Sequence, residues 1–184
     1  MPTTFLPQQG GYRKLRVYRV TEIIYDITYY FANHYLTRGD RTIDQMVQAA
    51  RSGKQNIAEG SAASTTSRET EIKLTNVAKA SLEELLIDYQ DYLRVHNLPQ
   101  WDLQHHRYNA MRQYASSDKI NDEYAVVITR MNEEEIANLC ITLINQATYM
   151  LKKLIARQQE QFITEGGIRE QMTKARLEYR NKNK

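Results

Sequence analysis

Glycine and proline are nearly missing from the stretches of this chain that carry apolar residues at three- and four-residue spacing. That combination restricts it to long, uninterrupted helices. There are seven glycines and three prolines in 184 residues, and long stretches contain neither. An interior Gly costs ~1 kcal/mol and an interior Pro ~3 kcal/mol relative to Ala, so such stretches are free to stay helical. The length fits a single domain with one core of ordinary size.

A first helix is expected from about Tyr12 to Tyr35, with Val20, Ile23, Ile24, Ile27, Tyr30 and Phe31 on one face. Gly39 and Asp40 break the pattern, and Asp40 is placed to cap a second helix from about Arg41 to Ala58. Ile43, Met46, Val47, Ala50 and Ile57 make its apolar stripe, and Gly60 stands where a left-handed terminal residue is expected. Thr66 to Glu69 has the spacing of a capping box and opens a third helix that runs to about Val95. Its stripe includes Ala78, Leu85 and Tyr92 at heptad spacing, as in helices that pack at a shallow angle. Asn97 and Pro99 end it.

From Trp101 to Met131 the pattern is weak. Leu103 to Ala115 reads as a short helix capped by Asp102, and Ser116 to Thr129 as loop or further helix, so the segment is taken as an insertion. A last long helix begins near Asn132, with Glu133, Glu134 and Glu135 facing the positive end of its dipole, and Gly166-Gly167 stops it. The tail from Ile168 to Lys184 is a further helix with six basic and two acidic side chains. The expected fold is therefore all-α. It is an up-and-down four-helix bundle over residues 12–167, with an insertion at 101–131, a loose arm at 1–11 and a basic helical tail at 168–184.

One cysteine, Cys140, excludes an internal disulfide framework and fits a reducing compartment. No apolar run approaches the ~20 residues that span a bilayer, and Met1 to Gly11 lacks the basic and apolar regions of a secretion signal. The expectation is a cytoplasmic protein with no membrane partner.

Catalytic constellations are missing from the sequence. A di-metal site in a helical bundle needs Glu-x-x-His on two helices, and the chain has only one Asp-x-x-His, at Asp102 and His105. His105 and His106 are adjacent and would point ~100° apart on a helix, while His34 and His96 are isolated. Cys140 lies within an apolar stripe, where a thiol acts as a small hydrophobe. Neither Gly10-Gly11 nor Gly166-Gly167 has the context of a phosphate loop. Glu84, Asp88 and Asp91 along the third helix read as a solvated flank. No enzyme, metal or cofactor is expected.

Helix two has a second face of small and polar residues: Gln45, Ala49, Ser52, Gly53, Asn56 and Glu59. It suits either a subunit contact or ligand groove, or a tight crossing with another helix of the same chain. Lys54 interrupts the apolar stripe, either with its stem buried and its amine in water, or in a buried ion pair with Glu59 or a carboxylate of helix three.

Gln45 to Gly60 reads QMVQAARSGKQNIAEG. It resembles the signature of the bacterial four-helix bundle family named for the 23S ribosomal RNA intervening-sequence protein, which opens Gln-Leu-Arg-Arg-Ala-Ala and closes Asn-Ile-Ala-Glu-Gly. Ala80 to Leu93, ASLEELLIDYQDYL, is similar to that family's second block. The run EIANLCITLINQATYMLKKL with Glu165 to Gly167 resembles its longer, suffix-domain subgroup. The family's paired arginines fall on Val47 and Gln48 here, while Arg51 and Lys54 occupy positions that are usually apolar or Pro, so an arginine role does not carry over. The family includes the accessory variability determinant of diversity-generating retroelements, a basic pentameric ring that works with a reverse transcriptase. The resemblance implies a homo-oligomer, a pentamer, with RNA or DNA and a nucleic-acid enzyme such as a reverse transcriptase as partners.

Charge distribution adds to this. In an up-and-down bundle one pole collects Arg13, Lys14, Arg16, Arg19, Arg68, Lys73 and Arg157 with the tail residues Arg169, Lys174, Arg176, Arg180 and Lys182. The other collects Asp40, Asp44, Asp88, Asp91, Asp102 and Glu133 to Glu135. The net charge of +3 conceals this polarity. Phosphate binding at the basic pole would be salt-dependent and blind to sequence. The expected function is that of a nucleic-acid-associated accessory or scaffold protein. The alternative is a protein-interaction module that never touches nucleic acid.

Overall fold

The computed structural model describes residues 11–182, and every regular element among them is helical. All of the arm expected over Met1 to Gly11 except Gly11 itself lies outside the described residues.

A 3-10 turn, Tyr12–Lys14, precedes helix α1, Arg16–Tyr35. Extended backbone at Leu15 separates the two, so α1 begins four residues later than the apolar spacing alone suggests. Helix α2, Arg41–Ala63, is capped by Asp40, whose carboxylate accepts the Thr42 amide at 2.8 Å. It does not stop at Gly60. That glycine is helical and buried, and a Cβ on it would stand 3.3 Å from the Glu71 carbonyl oxygen and 3.4 Å from Leu74 Cβ. Its missing side chain admits the neighbouring helix, which corrects the reading of Gly60 as a left-handed terminus.

Helix α3, Arg68–Val95, is capped by the Ser67 hydroxyl, which accepts the Thr70 amide at 3.2 Å. The cap therefore lies one residue beyond the Thr66–Glu69 pairing. At ~1.5 Å per residue its 28 residues span ~42 Å. Asn97 takes a left-handed φ of 55°, and Leu98 N–H returns to the Leu93 carbonyl, closing the helix without a glycine.

The connection to the last long helix folds into α4, Tyr108–Ser116, α5, Ile120–Val127, and a 3-10 turn, Ile128–Arg130. Asp102 caps neither helix; its carboxylate accepts the Gln104 amide in a local turn. α4 rests on α6 and α5 on α1, through buried Met111, Ala115, Ile120 and Ile128. Helix α6, Glu133–Glu165, opens with a reciprocal capping box between Asn132 and Glu135 and ends at Gly166, where φ is 73°. Helix α7, Ile168–Lys182, buries none of its residues.

α2 packs against α3, α3 against α6, and α1 against both α2 and α6. The shared core includes Ile24, Ile27, Phe31, Met46, Leu82, Leu85, Tyr89, Leu139, Leu143 and Ile144, all fully buried. Full burial of such side chains stabilises a fold by ~1.5–3 kcal/mol each before chain entropy is counted. Among the described residues no helix is long and apolar enough to cross a membrane.

Candidate nucleic-acid interface

The start of α1, the end of α2, the start of α3 and the late turns of α6 meet at one end of the molecule. Tyr12, Leu15, Ile57, Ser64, Glu71, Thr75, Leu154 and Gln158 line a common cleft there of about 170 Å³. Around it stand the expected cations. Arg13, Lys14, Arg16, Arg19, Lys73 and Arg157 are all exposed. Arg169 lines a second recess with Ser67, Arg68 and Phe162, so the beginning of α7 adjoins the beginning of α3. Lys174, Arg176 and Arg180 continue along α7, all exposed.

Two of these arginines are committed to the fold. Arg68 donates to the Gln161 carbonyl at 2.9 Å and to the Glu165 carboxylate, and its side chain is only 17% exposed. Arg16 donates to the Ser116 carbonyl at 2.8 Å, tying α1 to the end of α4. Arg13 lies beside the Tyr12 ring. Lys14, Arg19, Lys73 and Arg157 form no ion pair among the described residues. These four are the cations most available to a phosphate.

The same end also holds carboxylates that the polar charge layout left out. Glu69 and Glu170 line the recess beside Arg68 and Arg169, and Glu165 neutralises Arg68. Glu71 is half buried, and burial raises its pKa above the ordinary carboxylate range, against the Gln158 hydrogen bond and the Arg68 charge. The Gln158 amide donates to Glu71 and to Thr75 Oγ1, each at 3.1 Å. The end is thus of mixed charge with a basic excess. At the opposite end Asp91 pairs with Arg94 and Glu135 with Arg107, which softens the acidity expected there. Asp88 is pushed up to about 6 by burial, with Glu84 and Asp91 adding to the shift.

The small-residue face of α2 lies against α3 of the same chain. Ala49 and Gly53 are buried, and a Cβ on Gly53 would fall 2.7 Å from Leu82 Cδ2. Ser52 Oγ and Ser81 Oγ share a hydrogen bond of 2.8 Å across the crossing, and the Asn56 amide donates back to Ser52. Gln45 and Glu59, at the edges of this face, are exposed. Lys54 is partly buried and forms no ion pair among the described residues, so the alternative of a buried pair with Glu59 or a carboxylate of α3 is not seen. Its ammonium sits 4.3 Å from the centroid of the Tyr25 ring, where the face of the π system replaces a carboxylate.

The other reactive residues are placed as follows. Cys140 is buried, and desolvation pushes its thiol up to about 12 despite hydrogen bonds with Tyr89 and Thr28 that oppose the shift. His105 stacks on Trp101 with ring centroids 4.5 Å apart, and His34 and His96 stack on Tyr30 and Tyr92. Among the described residues no three His, Cys, Asp or Glu side chains converge on a point that could hold a metal ion.

Residue spacing did not reveal a groove of about 830 Å³ between residues 100–112 and the outer face of α6. Trp101, Tyr108, Arg112, Asn145 and Tyr149 line it. The walls, Gln100 to Arg112 and Asn138 to Tyr149, are separated in sequence by the whole of α5 and the start of α6, so no local pattern could have joined them; the lone tryptophan beside a polar run was the only hint. No protein-family profile, curated protein or solved structure matches this chain.

Proposed function

We propose that the chain is a non-enzymatic accessory or scaffold protein that holds nucleic acid by its phosphates at the end where α1 begins. The observation that carries this is the clustering there of exposed cations that form no ion pair among the described residues: Lys14, Arg19, Lys73 and Arg157. They are joined by Arg169 and the cations of α7. Charge that the fold does not use is the ordinary footprint of a phosphate-binding surface. In this reading the packing of α1, α2, α3 and α6 is an up-and-down four-helix bundle, α4 and α5 are an insertion in it, and α7 is its basic tail. The resemblance to the 23S ribosomal RNA intervening-sequence proteins extends the proposal to a homo-oligomer, a pentamer, that works beside a nucleic-acid enzyme.

The test is a fluorescence-anisotropy titration of duplex and structured RNA at two salt concentrations. Replacing Lys14, Arg19, Lys73 and Arg157 together by Ala should weaken binding at least tenfold. It should also flatten the salt dependence by ~0.7–0.9 per lost phosphate contact. Unchanged affinity would sink the phosphate assignment.

A second reading has its own support. Glu69, Glu165 and Glu170 interleave with the cations, and a mixed surface of this kind suits a protein partner. It predicts a stable oligomer by light scattering and no RNA binding even at low salt.

A further inference from the structure

We propose that the groove between residues 100–112 and α6 receives unpaired nucleobases, so that the protein grips single-stranded nucleic acid there. This rests on the nucleic-acid reading above and adds a second, chemically distinct contact to it.

The groove is built around a fixed wall. Asn138, 3% exposed, accepts the Trp101 amide at 2.7 Å and donates to the carbonyls of Pro99 and Glu134. The Trp101 indole N–H donates to Glu134 Oε1 at 2.7 Å, His105 stacks on the ring, and Arg107 lies 5.1 Å from its centroid. Every polar atom of the Asn138 side chain is spent on holding this wall in place. At about 830 Å³ the space lies within the ~300–1,000 Å³ typical of sites for organic ligands.

Two kinds of side chain are left over for a ligand. The first are carboxamides. Gln100, Gln104 and Asn145 line the groove, and their side chains make no hydrogen bond within the described residues. A carboxamide offers a donor and an acceptor side by side, the pattern that pairs with the edge of a base. The second are rings that carry a cation. The Arg112 guanidinium lies 5.6 Å from the Tyr108 centroid, and the Lys153 ammonium 4.7 Å from that of Tyr149. Tyr149 remains 59% exposed. An aromatic ring beside a positive charge suits a nucleotide, whose stackable base sits one sugar away from a phosphate.

The surface continues. Asn145 and Tyr149 also line a neighbouring cleft of about 390 Å³ with Asn76, Lys79 and Lys152. That cleft lies between α3 and α6, and Lys73 stands on α3 less than two turns before Lys79. A strand leaving the groove would therefore pass lysines on its way to the phosphate-binding end. Asp102 and Glu83 oppose it, but Asp102 accepts the Gln104 amide and Glu83 is bridged to Lys79. A neutral oligosaccharide would use the rings and amides and leave the cations idle. Paired bases could use neither, because their faces and edges are occupied.

Trp101 is the only tryptophan in the chain, so its emission reports on this groove in the unaltered protein. Titrating a single-stranded RNA dodecamer into the full chain should change that emission along a saturating curve. Tyr149→Ala and the double variant Tyr108→Ala/Tyr149→Ala should weaken single-strand binding by roughly tenfold or more. Neither should change duplex affinity or its salt dependence. Circular dichroism checks that the variants keep their fold, and Tyr149→Phe, which keeps the ring, should restore binding.

Single-strand binding with constant Trp101 emission and no effect of Tyr149→Ala would overturn the groove assignment and leave the phosphate reading standing. Failure of both RNA forms to bind at low salt would overturn both. An emission change with an oligosaccharide or an acidic peptide, and none with RNA, would overturn the choice of ligand.

Discussion

Tyr89 is the largest side chain with no exposed surface, and its hydroxyl reaches across the core to donate to Thr28 Oγ1 at 3.0 Å. Burial drives the phenol well above its ordinary range, so it stays a neutral donor at any physiological pH. Tyr89→Phe keeps the packing and removes the hydrogen bond to Thr28 Oγ1, which should cost about 0.5–1.5 kcal/mol in urea denaturation. Gly53 tests close approach rather than hydrogen bonding. A methyl there would overlap Leu82 Cγ as well as Cδ2, so the whole branch must move. Gly53→Ala gains ~1 kcal/mol in helix propensity and loses ~1–3 kcal/mol to overpacking, and net destabilisation is expected. Asp88 makes a prediction of the opposite sign. Its folded pKa of about 6 exceeds the ordinary value of 3.8, so the folded state holds the proton more tightly than the unfolded chain. Its contribution is full below pH 3.8 and lost as pH rises through about 6. Asp88→Asn should therefore raise stability at pH 7, by roughly 1 kcal/mol once its half-exposed position is discounted, and leave it unchanged near pH 3.5.

The helices differ in how they are held, and so in how far they could be read beforehand. α1, α3 and α6 each carry a continuous apolar stripe, and Asp40, Asn97, Asn132 and Gly166 mark ends that local chemistry alone determines. The all-helical class followed from that. Gly60 misled because glycine serves two purposes near a helix end. It can take a left-handed φ, or it can let a neighbouring backbone approach, and only the position of Glu71 decides between them. α4 and α5 are nine and eight residues long, too short to hold themselves helical in water. Their order comes from distant partners, such as Ser116 with Arg16 and Gln146, and Tyr124 with Asp26. For the same reason the cations of the candidate interface were visible in the sequence and the groove was not. α7 represents the other extreme. With no residue buried it adds little to the fold, so a chain ended after Gly166 should melt within a degree or two of the full one by circular dichroism. The same truncation should weaken RNA binding, because Arg169, Lys174, Arg176 and Arg180 go with it.

Across the whole molecule, the charge pattern is less simple than the separation of acidic and basic poles suggested. Each end carries both signs, and the local ion pairs of Arg68, Arg94 and Arg107 cancel part of the asymmetry. What remains at the end where α1 begins includes Lys14, Arg19, Lys73 and Arg157, which form no ion pair among the described residues and whose effect on RNA affinity should fade between ~50 and ~200 mM salt. The meeting of the beginning of α1 with the late turns of α6 has a further, mechanical consequence. Tyr12 and Leu15 share a cleft with Leu154 and Gln158, so a pull applied at Gly11 and Gly166 would load those contacts one turn at a time. Contacts loaded in sequence yield at lower force than contacts sheared together. Held in optical tweezers by those two points, the molecule should open like a zip, with α1 peeling from α6 before the α2–α3 crossing at Gly53 feels the load.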